Sequence, residues 1–106
     1  MVPAYPCKQN VMMSDPEPSP LLEQLIGQPV VIDVASLYVY VGTLSEMDHK
    51  YLILTDADVH DLRDTTTTRE LYVLESKRHG LSSNRKRVFV SRHEIVSLSA
   101  LEDVVE

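Results

Sequence analysis

The 106-residue chain has no tryptophan, one phenylalanine, one cysteine and three glycines. The lone Cys7 excludes an internal disulfide framework and a structural zinc site built on paired cysteines, two common staples of small domains. No apolar run approaches the roughly 20 residues that cross a bilayer. Residues Met1–Asn10 do not join a basic stretch to an apolar one, as a secretory leader does. A cytoplasmic protein without membrane association is therefore expected. No glycine-rich phosphate loop follows a strand, and no Ser or Cys nucleophile sits at a recognisable elbow, so neither an enzyme nor a cofactor is expected. Proline is scarce after the first 20 residues, which hold five of the six. What is there, 43% hydrophobic and 25% charged residues, suits one globular domain.

The net charge of −6 is uneven. Residues 21–64 carry −6 and residues 95–106 carry −3, whereas residues 65–94 carry +4. An acidic chain is a poor non-specific ligand for nucleic acid or anionic membrane, because that affinity comes from neutralising phosphates. Only a local basic patch could provide it.

The proline-rich stretch 1–18 shows neither period 2 nor period 3.6 and reads as a flexible arm; residues 19–103 read as the domain. Ser19 followed by Pro20 is a helix start, Leu21, Leu22, Leu25 and Ile26 form an apolar stripe, and Gly27 supplies the stop. That predicts a short two-turn helix. Val30–Val34, Leu37–Leu44 and Tyr51–Leu54 are β-branched and aromatic runs that predict three strands, the third fading through Thr55 to Asp58. Apolar residues occupy both parities of the second run, so both faces of the sheet should be covered. Gly42 inside it suggests a sharp bend. Residues 61–69 read as a surface connection.

Residues 68–79 support two readings. Thr67-Thr68-Arg69-Glu70 resembles a capping box, Lys77-Arg78-His79 suits a helix C-terminus, and Gly80-Leu81 suits its stop, which favours a helix. Leu71–Leu74 lacks a clear 3.6 period and could instead pair as a strand with Val88–Val90 around a loop from Gly80 to Arg85. Arg87–Ser91 and Ile95–Leu101 predict two last strands pivoting at Arg92-His93-Glu94.

A short helix, three strands, an insertion and two strands joined by a tight turn resemble the Sm-like family of small barrels. Gly42-Thr43-Leu44, Asp48, Leu52-Ile53-Leu54 and Asp56-Ala57 resemble its first motif; Val88-Phe89-Val90 and Ile95-Val96-Ser97-Leu98 about the Arg92 turn resemble its second. The resemblance covers residues 20–103 and implies a mainly β, five-stranded, strongly bent barrel with a helical insertion between strands 3 and 4. It implies also a homo-oligomeric ring of about five to seven subunits, joined through Val88, Phe89, Val90, Ile95, Val96, Ser97 and Leu98. Ring closure would cover sheet edges that otherwise invite aggregation.

Two departures bear on function. The Asn with which uridine-binding members read the base is missing, and His49, Lys50 and Tyr51 occupy that shorter turn. The Arg-Gly-x-Asn of the second motif is replaced by Ser91-Arg92-His93-Glu94, and Glu94 would face a phosphate badly. In a ring, His49, Lys50, Tyr51, Arg92 and His93 would line the central hole and could bind RNA or another anion. The alternative is an assembly module without nucleic acid, in which Arg92 pairs with Asp48 or with Glu94 of a neighbour. Arg85, Lys86 and Arg87 form the strongest basic cluster and could contact RNA phosphates. A solvated loop offsetting the Asp-rich segment is favoured, because no stacking aromatics are interleaved with them. Asp56, Asp58 and His60 alternate and would share one strand face, with Asp61 and Asp64 nearby. A fading polar strand end produces that pattern too, and no metal site is expected.

Overall fold

The computed structural model describes residues 19–64 and 67–106. The expected proline-rich arm, with Cys7, lies outside them. Ser19 caps the first helix, α1 (Pro20–Glu23), its Oγ accepting from the Leu21 N–H at 3.2 Å. The helix is shorter than the two turns expected. Single turns carry the chain on to Gly27, whose φ of 92° lies in the left-handed region that glycine tolerates. There Gly27 N–H donates to the Leu44 carbonyl at 2.7 Å and Leu44 N–H to the Gln28 carbonyl at 3.0 Å, stitching the helix exit to the sheet. Leu25 reaches the core, whereas Leu21 is 74% exposed, so the stripe is only half used.

Five strands form one antiparallel sheet in the order β4-β3-β2-β1-β5: β1 (Pro29–Val34), β2 (Tyr38–Met47), β3 (Tyr51–Asp61), β4 (Arg85–Ser91) and β5 (Ile95–Ala100). β4 and β5 lie at opposite ends of that order, yet only the three-residue turn Arg92–Glu94 joins them. A connection so short requires the sheet to curl until its two edges approach. Irregularities at Val41/Thr43 and Leu44/Glu46 in β2 supply part of the bend. At the first, Gly42 faces Ala57, and a Cβ on Gly42 would lie 2.8 Å from the Ala57 Cβ.

β3 does not fade at Thr55 but runs to Asp61, because Asp56, at φ 49°, absorbs the irregularity and returns Ala57 to full burial. The sequence-based strand Arg87–Ser91 likewise begins earlier, at Arg85. Asn84 explains this: its side chain accepts from Val59 N–H at 3.0 Å and donates to the Val59 carbonyl at 3.1 Å, while its own N–H bonds the Ala57 carbonyl. It holds β4 against the extended β3, so Arg85, Lys86 and Arg87 belong to a strand and not to a loop.

Residues Arg69–His79 are helical (α2), which settles the two readings. Thr68 Oγ1 accepts from Leu71 N–H at 3.2 Å, and Gly80, at φ 87°, ends the helix with its N–H on the Ser76 carbonyl. Arg69 is not part of a surface connection but begins α2, and its guanidinium pairs with Asp33 of β1 at 3.1 Å. As the two-parity pattern predicted, the sheet is covered on both sides. Val30, Ile32, Val34, Leu44, Leu52, Leu54 and Val90 form the barrel interior, with Leu25 from the turns after α1 packed against them. Val31, Val39 and Val41 pack outward against Val73 of α2, with Leu101 and Val104 of the C-terminal segment. Lys77 Nζ donates to the carbonyls of Glu102 and Val104, and Arg78 pairs with Glu106 at 2.6 Å, tying that segment to α2.

Candidate functional site

The β2–β3 turn is built by Asp48. Its carboxylate accepts from the N–H groups of Tyr51 at 2.7 Å and Lys50 at 2.8 Å, and these bonds hold it below the usual carboxylate range. With both hydrogen bonds spent on the backbone, the turn presents His49 and Lys50 outward, both exposed. The β4–β5 turn docks on it from the same chain. Arg92 N–H donates to the Lys50 carbonyl at 2.9 Å and Arg92 Nη1 to the Asp48 carbonyl at 2.7 Å. Arg92 thus anchors to the main chain of the first turn and is half-buried, while His93 and Glu94 are exposed. A cavity of about 170 Å³ is lined by Leu22, Leu52, Arg92, Ile95 and Leu98. His49, Lys50, Tyr51, Arg92 and His93 therefore meet at one end of the barrel.

The basic run does not join them. Arg85 stands six residues before Ser91, about 20 Å along the strand at the ordinary β rise. Val88, Ile95 and Leu98 are half-buried and Val90 is only 3% exposed, so these four serve chiefly the chain's own core; Phe89, Val96 and Ser97 are exposed on the two sheet edges. One row escaped the sequence reading. Arg87 lies over the Phe89 ring, 5.0 Å from its centroid, and Phe89 meets Tyr51 edge-on at 5.9 Å and 75°. An aromatic pair thus flanks the end of the basic run without being interleaved with it. The signal was the alternation of Arg87 and Phe89, which became meaningful only once β3 brought Tyr51 alongside.

Asp58 and His60 share a face, on which both meet Tyr72, whereas the left-handed Asp56 breaks the alternation before them. Asp58 accepts from the Tyr72 hydroxyl, and the His60 ring stacks on Tyr72 at 3.9 Å and 8°. Burial, reinforced by Asp58, pushes the Tyr72 phenol up. Asp61 is held at about 2 by Arg63, whose guanidinium reaches it at 2.8 and 3.0 Å. Among the described residues no group of His, Cys, Asp and Glu is arranged to hold a metal ion, and no helix is long and apolar enough to cross a membrane.

No family model and no curated protein matches the sequence. Eighteen chains of solved structures do match its fold. One is an Sm protein of Pyrococcus abyssii, solved in complex with a uridine heptamer; it superposes with a TM-score of 0.53 over 78% of this chain and 99% of its own, at 14% identity. The fold is Sm-like. At that identity the likeness carries the architecture alone, and the Sm-like fold accounts for the short first helix, the five bent strands and the two facing turns. The helix α2 between β3 and β4 occupies the place where the sequence predicted an insertion.

Proposed function

We propose that the chain is a subunit of a homo-oligomeric Sm-like ring of five to seven copies that binds single-stranded RNA, or an anion of like chemistry, at the paired turns. One observation carries this reading: the turn bearing Lys50 and the turn bearing Arg92 are hydrogen-bonded into one unit at the barrel end. A ring repeats that unit in every copy, so a few cations become an annulus within an acidic particle. The Sm protein of similar fold is bound to a uridine heptamer, which supports RNA as the ligand class. The loss of the base-reading Asn argues against the same uridine chemistry here.

Both sheet edges support assembly. β4 and β5 expose unpaired backbone groups together with Phe89 (52%) and Val96 (70%), which an isolated barrel would leave to solvent. A ring without nucleic acid, acting as an assembly module in the cytoplasm, is the second reading, and the same edges favour it equally. Native mass spectrometry of protein purified without nuclease separates the two. A closed ring with added RNA mass supports the first. In the double variant K50A/R92A, RNA affinity is expected to fall at least tenfold with the ring mass unchanged. Unchanged affinity would sink the assignment of the turns.

A further inference from the structure

β5 finishes its pairing with β1 at Ala100, opposite Val30, so the ladder is complete before Leu101. The residues that follow, Leu101–Glu106, belong to no strand and lie instead on the outer apolar cluster. Leu101 and Val104 pack there with Val31 of β1 and Val73 of α2, in a turn closed by Val104 N–H on the Leu101 carbonyl at 3.1 Å. α2 supplies the polar half of the seat. Lys77 Nζ donates to the carbonyls of Glu102, at 3.0 Å, and of Val104, and Arg78 grips the Glu106 carboxylate at 2.6 Å. The hold is nevertheless light. Leu101 and Val104 are only half-buried, Val105 is 88% exposed, and the paired side chains of Arg78 and Glu106 stay 43% and 52% exposed, where solvent screens their attraction. A cavity of about 220 Å³ is lined jointly by Val31 and Val73 of the seat and by Val104 and Val105 of the segment, which therefore does not fill the place it occupies. α2 has other anchors, because Arg69 pairs with Asp33 and Tyr72 bonds Asp58, so the seat persists when the segment leaves.

We propose that the groove between α2 and β1 is a docking site for an extended apolar–acidic peptide of a partner protein, closed in the free chain by its own residues Leu101–Glu106. The resident segment shows what the groove takes: two apolar side chains three residues apart, as Leu101 and Val104 are, and a carboxylate two residues beyond the second, as Glu106 is. Lys77 reads main-chain carbonyls, which any sequence offers, so the side chains and the charge carry the selection. The resident bears three carboxylates, Glu102, Asp103 and Glu106, against Lys77 and Arg78; a basic peptide would meet like charge. A tethered occupant competes at an effective concentration on the order of 1 mM. The site therefore opens to a partner that binds better than the chain's own segment. Nothing in this docking depends on the ring or on the paired turns.

The test uses a fluorescent peptide with the sequence of Ser99–Glu106 as the probe, its binding read by anisotropy. The full chain carrying L101S/V104S, which loosens the resident segment in place, is expected to bind the probe at least tenfold more tightly than the parent does. A chain ending at Ala100, which keeps the whole β1–β5 ladder, is expected to do the same and serves where the first variant fails to fold. Adding K77E/R78E to either background should weaken the probe at least tenfold while circular dichroism stays unchanged. A probe that binds neither folded variant, or binds the parent equally well, overturns the proposal, and so does binding indifferent to K77E/R78E. A parent whose self-association is lost on removal of residues 101–106 would show the segment seated in a second copy. Displacement of the probe by an oligouridine would give Lys77 and Arg78 to nucleic acid. Either of these outcomes also sinks the partner-peptide assignment.

Discussion

At Gly42 the absence of a side chain lets β2 approach β3 closely at the register shift. A Cβ there would meet the Ala57 Cβ at 2.8 Å and its Cα at 3.0 Å, and backbone cannot swing aside as a flexible side chain can. Gly42→Ala is expected to cost about 1–3 kcal/mol, the usual range for overpacking, measured as a lowered urea midpoint. Adding Ala57→Gly should recover only part of it, because the contact with the main chain remains. Asp61 makes a second prediction. Its carboxyl titrates at about 2 in the folded chain, below the ordinary 3.8, because Arg63 favours the charged form. Such a group stabilises the fold fully above about pH 4, and that contribution is lost as the pH falls towards 2. Unfolding midpoints measured across that window should therefore fall less steeply in Asp61→Asn than in the parent. An equal slope in the two proteins would show that the pair does not shape the acid limb.

α2 shows how far an element can be read from its ends. The Thr67–Glu70 box and Gly80 announced a helix; Gly80 ends it as expected, but the N-cap is Thr68, one residue later than that box places it. The apolar period was indistinct because the helix has no broad buried stripe: only Val73 and Ser76 are buried, and Leu71 is 44% exposed. What holds α2 is a mixture that no periodicity encodes. Val73 packs on three valines from two strands, Tyr72 bonds Asp58 and stacks on His60, and Arg69 pairs with Asp33. Val73→Ala should cost about 2 kcal/mol through lost burial and the cavity left behind, read by chemical denaturation. Tyr72→Phe, which strips the half-buried phenol of its bond to Asp58, should cost about 1–2 kcal/mol. A neutral result there would mean that the bond to Asp58 adds nothing to the hold of Val73, Arg69 and the His60 stacking.

On the scale of the molecule, one curved sheet is the shared wall of two apolar clusters, and only its edges are left unfinished. Phe89 and Val90 separate these roles, being adjacent on the same edge strand but 52% and 3% exposed. Phe89→Asp should leave the strand signal in circular dichroism intact while shifting the native mass from ring to single chain. Val90→Asp puts a charge into the barrel interior and should unfold the chain. A ring that survives Phe89→Asp would move the junction elsewhere on the surface.

Strand content, the Ser19 cap, the helix ending at Gly80, the need for two covered faces and the Sm-like plan were all legible in the sequence, because each depends on residues close together in the chain or on simple alternation. The meeting of the Asp48 and Arg92 turns, the row of Arg87, Phe89 and Tyr51, and the placement of the basic run on a strand edge were decided by the tertiary structure alone. Each joins residues from separate strands through a register, and that register is set by the irregularities at Gly42 and Asp56 and by Asn84 bonding Val59. A shift of one residue in register turns every side chain to the opposite face, so local pattern can name such residues but cannot bring them together.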